Sequence, residues 1–143
     1  MIETVTDAKN MAKLYILALC VYREARGEPF YGKLLVANTI KERVRDRRWP
    51  DTFEGVIIQP WQFSAFNKND PNNLVYPWTG ASPNPNDKAW LDSVDAAQKV
   101  LGGTNPVPPN HLANHYHTKN VQPHWSEGKT PVALVGNHKF FLL

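Results

Sequence analysis

Residues 21–32 read VYREARGEPFYG, and they bring Arg23, Glu24, Arg26 and Glu28 together directly after the apolar run LYILALCVY. Two kinds of chemistry use a carboxylate in that position. It can be a general acid, because burial beside apolar groups disfavours the ionised form and holds the proton on. It can equally be a structural anion paired with Arg23, Arg26 or another arginine. Leu14, Leu17, Val21 and Glu24 follow one another at helical spacing, with Ala18 and Ala25 beside them. Glu24 therefore stands at the end of an apolar stripe, where charge is normally excluded. A glutamate raised from about 4.3 toward about 6 keeps a useful share of its proton near neutrality. Glu28 lies beyond the helix stop at Gly27 and Pro29 and reads as structural, holding Arg26 or the start of the next helix.

A second group of chemistry-bearing residues is HLANHYHT, residues 111–118, with His111, His115 and His117. On a strand, His115 and His117 share a face and Tyr116 takes the other. The histidines fit a metal-ligand spacing, but no second ligand cluster accompanies them, and His124 and His138 stand in unrelated contexts. No metal and no cofactor is expected. Tyr116 is placed to hydrogen-bond near Glu24 if its face is the one turned inward, and His117 lines the site if the other is. A third group is QPWQFSAF, where Gln62 and Ser64 offer an amide and a hydroxyl to a polar ligand and the aromatics offer apolar faces. Gln59 is as readily a buried turn residue. Trp78, with Tyr76, forms one wall of a groove or pins its own loop.

These residues need elements to hold them. The chain has 143 residues, which suits a single catalytic domain over 1–143, and 42% of them are hydrophobic, enough for a core. Helices are expected from about Thr6 or Asp7 to Arg26, from Tyr31 to Arg45, in WPDTFEGVII with Asp51 and Thr52 sharing the cap, and from about Asn86 to Leu101. Residues 64–87 read as a long Asn- and Pro-rich loop. The runs 111–118 and 132–141 read as strands, with Gly136-Asn137 as a hairpin turn. The fold class is α+β, helices first and a small C-terminal antiparallel sheet last.

The rest of the chain limits the function classes. A net charge of +3 suits an anionic polymer without naming it. KERVRDRRW, residues 41–49, reads as a solvated helix face rather than a nucleic-acid surface, so no nucleic-acid partner is expected. The single cysteine, Cys20, sits inside the apolar helix and reads as a buried thiol. The start, MIETVTDAKN, is polar and not a signal peptide. The expectation is a chain made in the cytoplasm, without stable membrane association, and monomeric.

The blocks YREARGEPFYGKLLVANTIKERV, WPDTFEGVIIQPWQFSAF, HYHTKNVQPHW and LVGNHKFF occur in this order. Together they resemble the SleB-type cell wall hydrolases, the spore cortex-lytic family that also occurs in bacteriophage endolysins. The resemblance implies a lysozyme-like, peptidoglycan-cleaving domain whose partner is the glycan strand, and it makes the first glutamate of the E-A-R-G-E block, here Glu24, the catalytic acid/base. The lack of a leader and of a spare domain favours a phage-type endolysin, reaching the wall outside the membrane after release. The implied reaction is lytic transglycosylation of the β-1,4 bond after N-acetylmuramic acid. The alternatives are a hydrolytic muramidase, a zinc-dependent amidase using His115 and His117, and a wall-binding module without catalysis. Ordinary glycoside hydrolysis uses a second carboxylate, and neither Asp51, Glu54 nor Asp70 has a setting like that of Glu24.

Overall fold

A computed structural model of the chain describes residues 4–59, 84–102 and 105–143. The first helix, α1 (Val5–Ala25), starts where Thr4 Oγ1 accepts from the Asp7 amide at 3.0 Å, satisfying one of the donors a helix start leaves open. Its second half is buried on every side: Ile16 through Arg23 are all shielded. The single apolar stripe expected from the sequence is thus too narrow. The reason is that α1 packs against three helices, α2 (Phe30–Arg45), α3 (Phe53–Ile58) and α4 (Lys88–Leu101). Glu24 terminates a central helix.

Local chemistry sets the other ends. Helix α2 begins after Pro29, whose fixed φ suits a helix entrance. Thr52 alone caps α3, accepting from the Gly55 amide at 3.0 Å, while Asp51 is exposed and does not share the role. Asp87 caps α4 through the Ala89 amide at 2.9 Å, one residue later than expected from Asn86. Fully buried Leu17, Leu19, Val21, Leu35, Ile40, Val56, Ile57 and Val100 knit the four helices into one core, each contributing about 1.5–3 kcal/mol by leaving water. Cys20 lies in it as a buried thiol. The segment 41–49 is not wholly solvated as expected: Arg43 is buried, with its Nε donating to the Asn114 carbonyl at 2.7 Å and its guanidinium over the Trp49 ring.

The sheet has three antiparallel strands, β1 (His115–Thr118), β2 (Ala133–Val135) and β3 (His138–Phe141), in the order β1-β3-β2. The histidine-rich segment is strand only from His115. Pro108 and Pro109 lead into a 3-10 turn at Pro109–His111 instead, since proline has no amide to give a ladder. The Gly136-Asn137 hairpin is present, with Gly136 at φ +56°, a conformation that favours glycine. The α+β architecture is the one expected. No helix among the described residues is long and apolar enough to cross a membrane. Most of the expected 64–87 loop lies outside the described residues.

Candidate active site

Glu24 occupies the last turn of α1, and Tyr116 reaches it from the middle of β1. The Tyr116 hydroxyl donates to Glu24 Oε1 at 2.6 Å, the length of a charge-assisted O–H···O bond. Pairing fixes which face of β1 turns inward. His115 stands opposite Phe141, Tyr116 opposite Phe140 and His117 opposite Lys139. Phe140 is fully buried in the core, so its partner Tyr116 faces the helices. His115 and His117 face away and pack on Trp125. The sequence left both faces of this strand open; Tyr116 is the one at Glu24, and His117 is not. His117 stacks on Phe141, and its Nδ1 lies 2.7 Å from the Thr118 carbonyl oxygen.

Two further described groups lie near Glu24. Cys20 is one turn earlier on α1; burial pushes its thiol well above the usual range, and the nearby Glu24 pushes it further. It stays protonated and is no nucleophile. Burial also raises the Tyr116 phenol well above its ordinary value, again with Glu24 adding to the effect. Tyr116 is therefore a fixed donor. Arg43 stands close enough to interact electrostatically with Tyr116, Cys20 and Glu24, which together oppose the lowering that burial imposes on it. A carboxylate with a permanent donor on one side and a buried guanidinium nearby is held in one orientation. Arg43 was missed in the sequence because its neighbours at 41–49 read as surface charge.

The turn after α1 is anchored from two directions. Lys33, buried on α2, donates from Nζ to the carbonyls of Arg26 at 3.2 Å and Glu28 at 2.6 Å. Glu28 accepts from the Asn137 amide at 2.7 Å and from Asn137 Nδ2 at 3.0 Å. Its Oε1 also lies 3.4 Å from Nδ1 of buried His138, a contact without hydrogen-bond geometry. Glu28 is structural, as expected, but its partner is the hairpin turn rather than Arg26. It ties the loop that follows the catalytic candidate to the sheet that carries Tyr116. Gly136 is required for this: a Cβ there would stand 2.3 Å from Glu28 Oε1.

Four other carboxylates among the described residues stand apart from Glu24. Asp51 and Glu54 line a cleft with Thr6, Lys9, Lys13 and Ile16 of α1, and Ile16 is about 12 Å along the helix from Glu24 at 1.5 Å per residue. Asp46 is held at about 2, first by the Arg48 side-chain hydrogen bond. Asp87 accepts from the Tyr22 hydroxyl at 2.8 Å. Among the described residues no group of three or more His, Cys, Asp or Glu is arranged to hold a metal ion. Gln62, Ser64, Tyr76, Trp78 and Asp70 lie outside the described residues.

A family model described as Cell Wall Hydrolase matches residues 27–141, beginning three positions after Glu24. A spore cortex-lytic enzyme of Halalkalibacterium halodurans is 42% identical over 128 residues, covering 89% of this chain and 34% of that protein. One from Oceanobacillus iheyensis is 29% identical over 129 residues, 89% of this chain and 40% of that protein. The chain thus spans two fifths or less of the length of these relatives. It spans nine tenths of two solved domains. The catalytic domain of the Bacillus cereus SleB protein matches with a TM-score of 0.68 at 27% identity, covering 92% of this chain and 90% of that one. The catalytic domain of the germination-specific lytic transglycosylase SleB from Bacillus anthracis matches at 0.69 and 26% identity, covering 90% and 93%. This chain belongs to the cell wall hydrolase family, and its fold is that of the SleB catalytic domains.

Proposed function

We propose that the chain cleaves the β-1,4 bond between N-acetylmuramic acid and N-acetylglucosamine in peptidoglycan as a lytic transglycosylase, with Glu24 as acid and then base. The observation that carries this reading is the Glu24–Tyr116 hydrogen bond of 2.6 Å, which orients one part-exposed carboxylate at the end of a buried helix. Glu24 protonates the glycosidic oxygen as the bond breaks. The resulting carboxylate takes the proton of the 6-hydroxyl on the same muramic sugar, and that oxygen closes on C1. The new end is a 1,6-anhydro ring, and the acid is regenerated. Because the nucleophile belongs to the substrate, proximity replaces a bound water, and one carboxylate serves both steps. Glu28, the glutamate nearest in sequence, is engaged by Asn137 and His138. Asp51 and Glu54 line another cleft. Gln62, Ser64 and Trp78 are proposed to hold the sugars.

Mass spectrometry of digested walls tests the chemistry. Muramic ends lighter by one water than hydrolysis products are expected. Reducing ends alone would make the enzyme a muramidase and require a second carboxylate. Glu24→Gln keeps the shape and removes the transferable proton. It is expected to fold and to lose activity by about 10²–10⁴-fold, the usual contribution of a general acid–base group. Retention of more than about a tenth of wild-type turnover would remove Glu24 from this role.

A further inference from the structure

From Pro106 to Leu143 the chain carries three lysines, Lys119, Lys129 and Lys139, and a single acid, Glu127. All three lysines line one polar groove of about 370 Å³ on the outward face of the sheet. The groove is built by the secondary structure. Lys139 stands opposite His117 across the β1–β3 pair. Lys119 leaves the end of β1 with its amide donating to the Asn137 carbonyl at 2.8 Å. Lys129 follows Gly128, at φ +72°, and its amide donates to the Ser126 carbonyl at 3.1 Å. Elsewhere, Lys88 pairs with Asp92 and Lys99 with Asp95, while Lys33 and Lys41 donate to backbone carbonyls. The three in the groove have no carboxylate within ion-pair distance among the described residues, and Glu127 is turned to His124 at 3.6 Å. No acidic side chain is among the described residues that line the groove, whereas the exposed amides of Asn120 and Gln122 do line it.

We infer that this groove is a second binding site, for the acidic peptide stem of the wall polymer. Its chemistry is complementary to that ligand. Three ammonium groups match carboxylates spaced along a short peptide, and two primary amides match its backbone donors and acceptors. A phosphodiester polymer would engage the ammonium groups and the amide donors, but only a peptide presents regularly spaced backbone N–H and C=O groups to both amides, so the peptide is the occupant the lining favours. The site is separate from the glycan-cleaving one: Tyr116 points from β1 to Glu24, and the adjacent His117 points into the groove. A stem held there fixes the strand that carries it against the sheet while the acid works on the other side. The inference rests on the wall-polymer reading above but not on Glu24 being the acid.

The test is a titration of the isotope-labelled full chain carrying Glu24→Gln, followed by amide chemical shifts. The probes are a disaccharide-peptide from digested peptidoglycan, the same disaccharide without peptide, and polyglycerol phosphate. The peptide-bearing probe is expected to shift Lys119, Asn120, Lys129 and Lys139. Raised salt should weaken it, and the combined Lys119→Gln, Lys129→Gln and Lys139→Gln variant should bind it at least about fivefold less tightly. Unshifted hairpin amides in the variant establish that its sheet is intact. Equal shifts from the peptide-free disaccharide, preference for the phosphate polymer, or unchanged affinity in the triple variant would each overturn the inference. Because no cleavage is read, the outcome is independent of which residue is the acid.

Discussion

Replacing Tyr116 with phenylalanine removes one oxygen and leaves the ring. The ring packs on His138 and Phe140, with centroids 5.2 and 5.7 Å away, and those contacts survive. What goes is the 2.6 Å donation to Glu24. Hydrogen bonds to a charged group contribute about 1.5–3 kcal/mol, and burial keeps the phenol protonated so that the bond is always present. If the bond serves to aim Glu24, its loss appears in kcat as roughly a ten- to hundredfold decrease, since about 1.4 kcal/mol is a factor of ten. The cost to folding is smaller, no more than about 1.5 kcal/mol, because Glu24 is part-exposed and solvent can replace the donor. The assay is the rate of release of new glycan ends from purified walls, beside urea unfolding of the same preparations. A rate within twofold of wild type would refute the aiming role. A loss matched by a collapse in stability would assign the bond to the fold instead.

Gly136→Ala introduces a Cβ at φ +56° that meets Glu28 Oε1 at 2.3 Å. Left-handed backbone alone costs about 1–2 kcal/mol, so the unfolding midpoint in urea falls by at least that equivalent, and activity falls with it as the hairpin leaves Glu28. His115 supplies a pH dependence. Burial, followed by Arg43 and Arg48, lowers it from 6.5 to about 4. The fold thus keeps the imidazole neutral where the unfolded chain would protonate it. That stability is complete above about pH 6.5 and is lost as pH falls toward 4; the full shift would be worth about 3 kcal/mol, and solvent screening of this half-buried ring reduces it to about 1–2 kcal/mol. Buried His138 shifts in the same direction. Urea unfolding at pH 7 and pH 4 measures the slope, and His115→Phe, which keeps a ring between Trp49 and Trp125, should flatten it. An unchanged slope would place the dependence elsewhere.

The helices were legible to within a few residues because cap signals are local: Thr52 caps α3 as read, whereas α1 is capped by Thr4 rather than Thr6 or Asp7, and α4 by Asp87 rather than Asn86. The hairpin was legible for the same reason, through Gly136-Asn137. Strand alternation made Tyr116 a possible partner for Glu24, yet it could not say which face turned inward. That depends on the β1–β3 register, set by residues more than twenty positions away. Arg43 was misread because a long cationic side chain in a charged helix looks solvated until the Asn114 carbonyl is brought to it from across the fold. The Glu28 clamp was out of reach for a similar reason: its partner Asn137 is 109 residues distant. The apolar stripe of α1 was drawn too narrow because period alone does not reveal that three helices surround it.

The sheet order β1-β3-β2 makes the strand synthesised latest the central one. In a growing chain, β1 emerges well before β3 and finds no ladder to join. Tyr116 and Glu24, 92 residues apart, therefore meet only after residues 138–141 have been made and paired. A ribosome product broken off anywhere before that point carries Glu24 on a helix with its donor adrift. The orientation of the Glu24 carboxylate is therefore a property of the finished molecule, reached only when the last strand is in place.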